Sequence, residues 1–511
     1  MKPRSRVRPL WTLAALAVLA AGYGEAQTAV PTCLPANHAV GVNPDTHLVL
    51  TFSSRPTLGK SGQIRIYDAA GHQLVDTLDL SIPAGPDPSR RVAGPPQGIP
   101  LDSSIPTSPT TTTPAVRTTP ANLHDYQLTT IGGLPNFHFY PVILHDNGAT
   151  IYPHNNVLKY GREYIVQVDA GVLTPASGVF AGFTTDRDWR FTTKPAPPAA
   201  SATRVVVASD GSGDFNTVQG AVDFVPDNPA RRVTIFIRNG NYEEIVFFRN
   251  KANITFRGED RDKVQVGYGN NSAFNPPQPG PNRRCAFSVY ESTGIELVNF
   301  TVSNYYFGQA EGLLIYGSKN IVSHMTIKGS GDALNLRGSV YLTDSTILGD
   351  GDTILGVGPA FFRRCEIRSV GPFMWIRNTE ANHGNVFVDC TFTAIERRRP
   401  QSQAAAPARA ISAVLARLPN NHGINYPYAE AVLINCRLNG IPPAGWGPID
   451  GETSHIHFWE FHSTDAEGHP VDVTERHPIS KQLTEPADAQ TIANYSTPAF
   501  VLGGWTPAVD E

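Results

Sequence analysis

One short apolar pattern recurs through the second half of the chain. It appears at residues 295–302, 321–327, 340–347, 361–367, 386–392 and 432–438, and aligning the copies puts Phe300, Met325, Ser345, Cys365, Cys390 and Cys436 in one column. The intervals are 25, 20, 20, 25 and 46 residues, the last being two turns of one period or one turn with an insertion. A single copy this short cannot bury its apolar face, but a stack of copies can. A period in the low twenties, built of short strands and Gly/Asn turns, predicts a right-handed parallel β-helix, so the expected fold class is all-β. Three of the five cysteines fall in the repeat column. That assigns them to an internal ladder of small buried side chains. No Cys-x-x-Cys or His pairing of the zinc type is present to favour a metal site.

Upstream the pattern changes. Residues 46–52, 63–67, 164–168 and 189–193 alternate apolar and polar positions, as half-buried strands do. A small β-sandwich is expected over residues 27–194, with the Thr/Pro-rich stretch from Pro106 to Pro120 as a loop inside it. Residues 195–202 read as a stiff Pro/Ala linker, and the helical stack occupies 203–511. Just after the linker, Thr217 to Val225 reads as a short amphipathic helix, the expected device for closing the open end of a stack.

The first 26 residues carry the pattern of a signal peptide. Lys2, Arg4, Arg6 and Arg8 precede an apolar region from Leu10 to Ala21, and Gly24 and Ala26 offer small residues for cleavage before Gln27. Export is therefore expected, to the periplasm or the medium. No later apolar run is long enough for a membrane span. A net charge of −4 gives no sign of a nucleic-acid binder; the Arg397-Arg398-Arg399 run reads as a solvated loop. A monomer is expected.

Two aspartates stand out for chemistry. Asp332 and Asp352 lie in glycine-framed turns 20 residues apart, each just after a short apolar strand pattern. Stacked coils would set them about 5 Å apart, the spacing of neighbouring strands. Like charges that close divide into an acid and a nucleophile, because one pKa rises. Gln309 lies 23 residues before Asp332 and joins the same patch one coil earlier.

These blocks resemble the pectin methylesterases. Asp210-Gly-Ser-Gly-Asp-Phe-Asn-Thr-Val-Gln219 is similar to the family's opening pattern and Gly240-Asn-Tyr-Glu-Glu244 to its Gly-x-Tyr-x-Glu. Gly308-Gln309-Ala310, Gly331-Asp332-Ala333-Leu334 and Gly351-Asp352-Thr353-Ile354-Leu355-Gly356 resemble its Gln-Ala-Val, Gln-Asp-Thr-Leu and Asp-Phe-Ile-Phe-Gly blocks, and Pro443-Ala-Gly-Trp446 a later segment. The resemblance runs over roughly residues 203 to 508; the region before it is similar, more weakly, to bacterial Ig-like domains. It implies an aspartyl carbohydrate esterase acting on pectin, with Asp352 as nucleophile, Asp332 as general acid and then base, and Gln309 as oxyanion donor. It implies no metal and no organic cofactor. Tyr242 and Glu244 read as seats for the first coils.

The chain also departs from the family. Gly331 stands where the family has Gln, which removes one expected oxyanion donor. The family's Leu-Gly-Arg-Pro-Trp block is nearest to Leu415-Ala-Arg417-Leu-Pro419, which makes Arg417 the residue expected to orient the nucleophile and leaves the Trp absent. Trp375, Tyr426 and Trp446 are candidates for sugar stacking or for packing. Two rival readings follow: a pectin-binding protein without turnover, favoured by Gly331 and the missing Trp, and a β-helical polysaccharide lyase.

Overall fold

A computed structural model describes residues 30–86, 125–306, 308–395, 413–419 and 423–509. The expected signal peptide, the Thr/Pro-rich stretch and the Arg397–Arg399 run lie outside these residues. From Arg204 onward the strands stack in parallel as a coil with three faces. One face runs from Arg204–Val207 through Val233–Ile237 and Ile254–Gly258 to Ser480–Gln482. A second is an eight-stranded sheet from Gly240–Glu243 to Arg437–Asn439. The third stacks Val246–Arg249, Phe287–Thr293, Leu313–Ser323, Leu334–Thr343, Ile354–Gly356 and Met374–Ile376. The strands Leu313–Ser323 and Leu334–Thr343 are long enough to turn the corner into the first face. They stack there glycine on glycine: a Cβ on Gly338 would sit 1.7 Å from the Gly317 carbonyl oxygen.

The repeat column is a column in space. Pairing of Val298 with Ser323, Ser323 with Thr343, Thr343 with Arg363, Arg363 with Val388 and Val388 with Ile434 carries it coil by coil from Phe300 to Cys436. The 46-residue interval is thus one coil with an insertion, since Val388 pairs directly with Ile434. All six column residues are buried, and the five cysteines are free thiols. The ladder also receives backbone donors. The Phe300 N–H reaches Met325 Sδ at 3.4 Å, the Met325 N–H reaches Ser345 Oγ at 3.0 Å, and the Cys365 N–H reaches Cys390 Sγ at 3.4 Å. The residue before each rung turns the corner with positive φ: Asn299, His324, Asp344, Arg364, Asp389 and Asn435. Asn and Asp tolerate that conformation best among residues with a side chain, which explains the polar punctuation in every copy of the repeat.

A helix over Val218–Phe224 closes the first coil. Thr217 caps it by accepting the Gly220 N–H, and its buried face, Val218, Ala221 and Val222, joins the apolar interior of the coil. Glu244 accepts the N–H groups of Val218 and Gln219 at 2.8 and 2.9 Å, and the Tyr242 hydroxyl donates to the Arg238 carbonyl at 2.8 Å. Both therefore hold the first coils together.

The described residues between 32 and 193 form a four-stranded sheet, a five-stranded sheet and two two-stranded ones, with antiparallel neighbours except where Ala39–Val42 joins Arg190–Thr193. Their apolar interior does not end at the Pro/Ala segment. Phe137, Phe139 and Tyr140 share one cluster with Phe247, Tyr268, Phe274, Tyr306 and Ala310 of the coil. Polar contacts follow the same seam: the Tyr140 N–H donates to the Tyr268 hydroxyl at 2.8 Å, and the Tyr140 and Tyr306 hydroxyls lie 2.6 Å apart.

Candidate active site

Strand register decides which side chains stack. Leu313 pairs with Leu334 and Leu334 with Ile354. Two residues before each of these strand positions stand Glu311, Asp332 and Asp352, so three carboxylates occupy successive coils. Asp332 and Asp352 are joined through the backbone, the Asp332 N–H donating to the Asp352 carbonyl at 3.1 Å. Both sit at positive φ, 64° and 44°, at the turn that feeds the third face.

The two aspartates differ in surroundings. Arg417 grips Asp352 with both arms of its guanidinium, Nε to Oδ1 at 2.6 Å and Nη2 to Oδ2. A fork of this kind fixes the carboxylate plane as well as its charge. Arg417 arrives from the inserted segment: Ala416 bridges Met374, and the Arg417 N–H donates to the Met374 carbonyl at 3.2 Å. Asp332 is 7% exposed. Burial pushes its carboxyl up to about 7, Glu311 and Asp352 adding to the rise while Arg284 and Arg377 oppose it. A carboxylic acid that keeps its proton near neutrality, beside one clamped as a carboxylate, is the arrangement of an acid and a nucleophile.

Gln309 lies at the rim. It is exposed, its φ is 47°, and the neighbouring Ala310 bridges Ser330. Gly331 packs on it: a Cβ at Gly331 would come 3.1 Å from the Gln309 nitrogen. The Gly331 N–H is already committed to Asp350 Oδ1 at 2.9 Å. No side chain or free amide at position 331 therefore replaces the family's Gln. Of the aromatic candidates, Trp375 and Tyr426 flank the site, with Arg377 4.5 Å over the Trp375 ring and Arg417 5.2 Å over it. Trp446 is buried, stacks on Phe458 at 4.7 Å and donates to Glu460 at 3.0 Å, so it packs the core.

Three site residues escape sequence reasoning: Glu311, Arg284 and Arg377. Glu311 is fully buried and takes bonds from Arg284 Nε at 2.7 and 2.8 Å and from its Nη2. The same Nη2 lies 3.4 Å from Asp332 Oδ2. The usable signal for Glu311 was the strand start: counting back two residues from Leu313, as from Leu334 and Ile354, lands on it. Arg284 sits on an irregular connection and carries no periodic signal.

The family model described as Pectinesterase matches residues 204–503. Among curated relatives, the probable pectinesterase/pectinesterase inhibitor 19 of Arabidopsis thaliana is 27% identical over 273 residues, covering 50% of this chain and 49% of that protein. Pectinesterase QRT1 of the same plant is 32% identical over 179 residues, covering 32% of this chain and 47% of that protein. The chain spans about half the length of the first curated relatives it matches. Among solved structures, pectin methylesterase from carrot aligns with a TM-score of 0.48 at 23% identity, covering 61% of this chain and 95% of that one. Pectin methylesterase PemA from Erwinia chrysanthemi aligns at 0.47 and 21% identity, covering 60% and 98%.

Proposed function

The chain belongs to the pectinesterase family, and from that premise we propose that it hydrolyses the methyl esters of pectin, releasing methanol and leaving free galacturonate. One observation carries this reading: two aspartates on adjacent coils, one forked by Arg417, the other buried and pushed up to about 7. Asp352 attacks the ester carbonyl carbon, and the negative charge moves to the carbonyl oxygen, where the Gln309 side-chain amide donates a hydrogen bond. The bond to the methoxy oxygen breaks as Asp332 gives that oxygen its proton, which leaves methanol and an anhydride on Asp352. Asp332, now a carboxylate, takes a proton from the attacking water. The anhydride opens, Asp352 is restored and Asp332 is again the acid. Arg417 holds the nucleophile in line throughout.

Pectin as partner and the leader-like N-terminus together support a secreted or periplasmic enzyme. The sandwich over residues 27–194 and the coil over 203–511 are proposed as its two domains; among the described residues no helix is long and apolar enough to cross a membrane. A second reading, a pectin-binding protein without turnover, draws on Gly331, whose backbone donor is spent on Asp350. The test is highly methylated pectin with the purified chain. Methanol release at unchanged polymer length supports the esterase; binding without methanol supports the second reading, and shortened chains with unsaturated ends would overturn both.

A further inference from the structure

The mounting of Arg284 and Glu311 is built with more care than a stray ion pair needs. Both lie inside the site, Glu311 with a fully covered side chain and Arg284 partly buried, with 15% of its side chain exposed. One guanidinium nitrogen serves both Glu311 and Asp332. The backbones of the pair are locked to each other, because the Asn304 side-chain amide donates to the Arg284 carbonyl at 3.2 Å and to the Glu311 carbonyl at 3.0 Å. The loop that carries Arg284 is tied down at both sides as well. Asn270 donates to the carbonyls of Arg283 and Cys285 at 2.7 and 3.1 Å. Arg283 reaches out to the N-terminal sheets, donating to the Pro135 carbonyl at 3.0 Å with its guanidinium 5.7 Å over the Phe137 ring. His138 and Asn275 exchange bonds across the same seam, at 2.9 and 3.2 Å.

We propose that Arg284 and Glu311 are positioning residues for Asp332, and that the N-terminal sheets are part of the active site through the loop they hold. Arg284 fixes one carboxyl oxygen of Asp332, so the other is presented to the leaving methoxy group. Glu311 balances the Arg284 charge, so the guanidinium orients the acid without stripping its proton. A buried cation facing a carboxyl alone lowers its pKa; a third carboxylate one coil away restores it. The groups that bear on Asp332 are Glu311, Arg284, Asp352 and Arg377, with Arg417 behind Asp352 and Asp350 held by the Gly331 N–H and the Ser330 hydroxyl. The Arg284–Glu311 pair couples this network to the N-terminal sheets through the neighbouring Arg283.

This inference rests on the role given to Asp332 above, and its test separates the two. The carboxyl titration of Asp332 is followed by NMR in the full chain labelled with ¹³C-aspartate, the signal assigned by its loss in Asp332→Asn. Methanol release is measured over the same pH range. In Glu311→Gln the Asp332 titration and the alkaline limb of kcat/KM should both move down by about one pH unit, with little change in KM at acid pH. In Arg284→Lys, which keeps the charge but loses the fork, kcat at the acid plateau should fall about tenfold with KM unchanged; this variant serves if Glu311→Gln does not fold. An unmoved Asp332 titration in folded Glu311→Gln, or wild-type kcat in Arg284→Lys, overturns the inference. A wild type that releases no methanol sinks the esterase reading, while the titration still decides whether Glu311 and Arg284 govern Asp332.

Discussion

Replacing Gly331 with Gln should increase turnover, an unusual expectation for a change at an active site. The backbone there is left-handed, with φ of +52°, so a side chain costs about 1–2 kcal/mol. A Cβ would meet the Gln309 backbone nitrogen at 3.1 Å, so that backbone must give by a few tenths of an ångström. For a chain of this size the loss amounts to no more than about 4 °C in Tm. Against that stands a new amide donor beside the nucleophile, where the Gly331 N–H is unavailable because Asp350 holds it. One oxyanion donor is worth about 10²–10³ in kcat where it has been removed from other hydrolases. In a site that keeps Gln309, the lower end, about 10², is the expected gain, with KM unchanged because the donor acts only as charge develops. The assay is initial-rate methanol release by Gly331→Gln and wild type, with Tm measured alongside. A folded variant with kcat equal to or below wild type would refute the reasoning that position 331 limits stabilisation of the oxyanion.

Because the Asp332 carboxyl is pushed up to about 7 and the proposed acid must start protonated, kcat/KM should fall about tenfold per pH unit above that value; a flat profile from pH 6 to 9 contradicts it. The stability linkage has the matching sign. A carboxyl raised in the folded state contributes stability below its unfolded value that is lost as pH rises through about 7. Asp332→Asn should therefore raise Tm at pH 8 and leave it nearly unchanged at pH 3, while losing activity at both; equal Tm shifts at the two pH values would count against this. Phe247 is fully buried on the coil and lies 5.6 Å from Phe137 of the N-terminal sheets. Phe247→Ala should cost about 3–5 kcal/mol and lower a single thermal transition. Two separate transitions, only one of them displaced, would show that the shared cluster does not couple the two parts.

The coil was legible because its period is written twice, once in the apolar column and once in the polar corner residues before it. The aspartate pair was legible from its 20-residue spacing in glycine-framed turns, each after an apolar strand pattern; that each also precedes a strand by two residues is visible only in the register. Gln309 was placed by a 23-residue spacing and by a family block, although it lies off the strand-start register; Arg417 came only through a block that resembles the family, since it arrives on an insertion. Glu311 obeyed the register but was hidden by the family block laid over it. Arg284 had no signal at all. Its place depends on how the loop between Tyr268 and Phe287 folds against the N-terminal sheets. The alternation of those sheets showed that one face would be buried, but not that Phe137, Phe139 and Tyr140 would bury theirs against the coil.

The most direct measurement is methanol release from highly methylated pectin by wild type and by Asp352→Asn, with pectin binding measured for both. Release by the wild type, none above background by the variant, and similar binding is the expected result, since Asn keeps the shape held by Arg417 but lacks the nucleophilic carboxylate. A folded Asp352→Asn protein that still releases methanol at the wild-type rate would contradict the assignment of Asp352 as the attacking group.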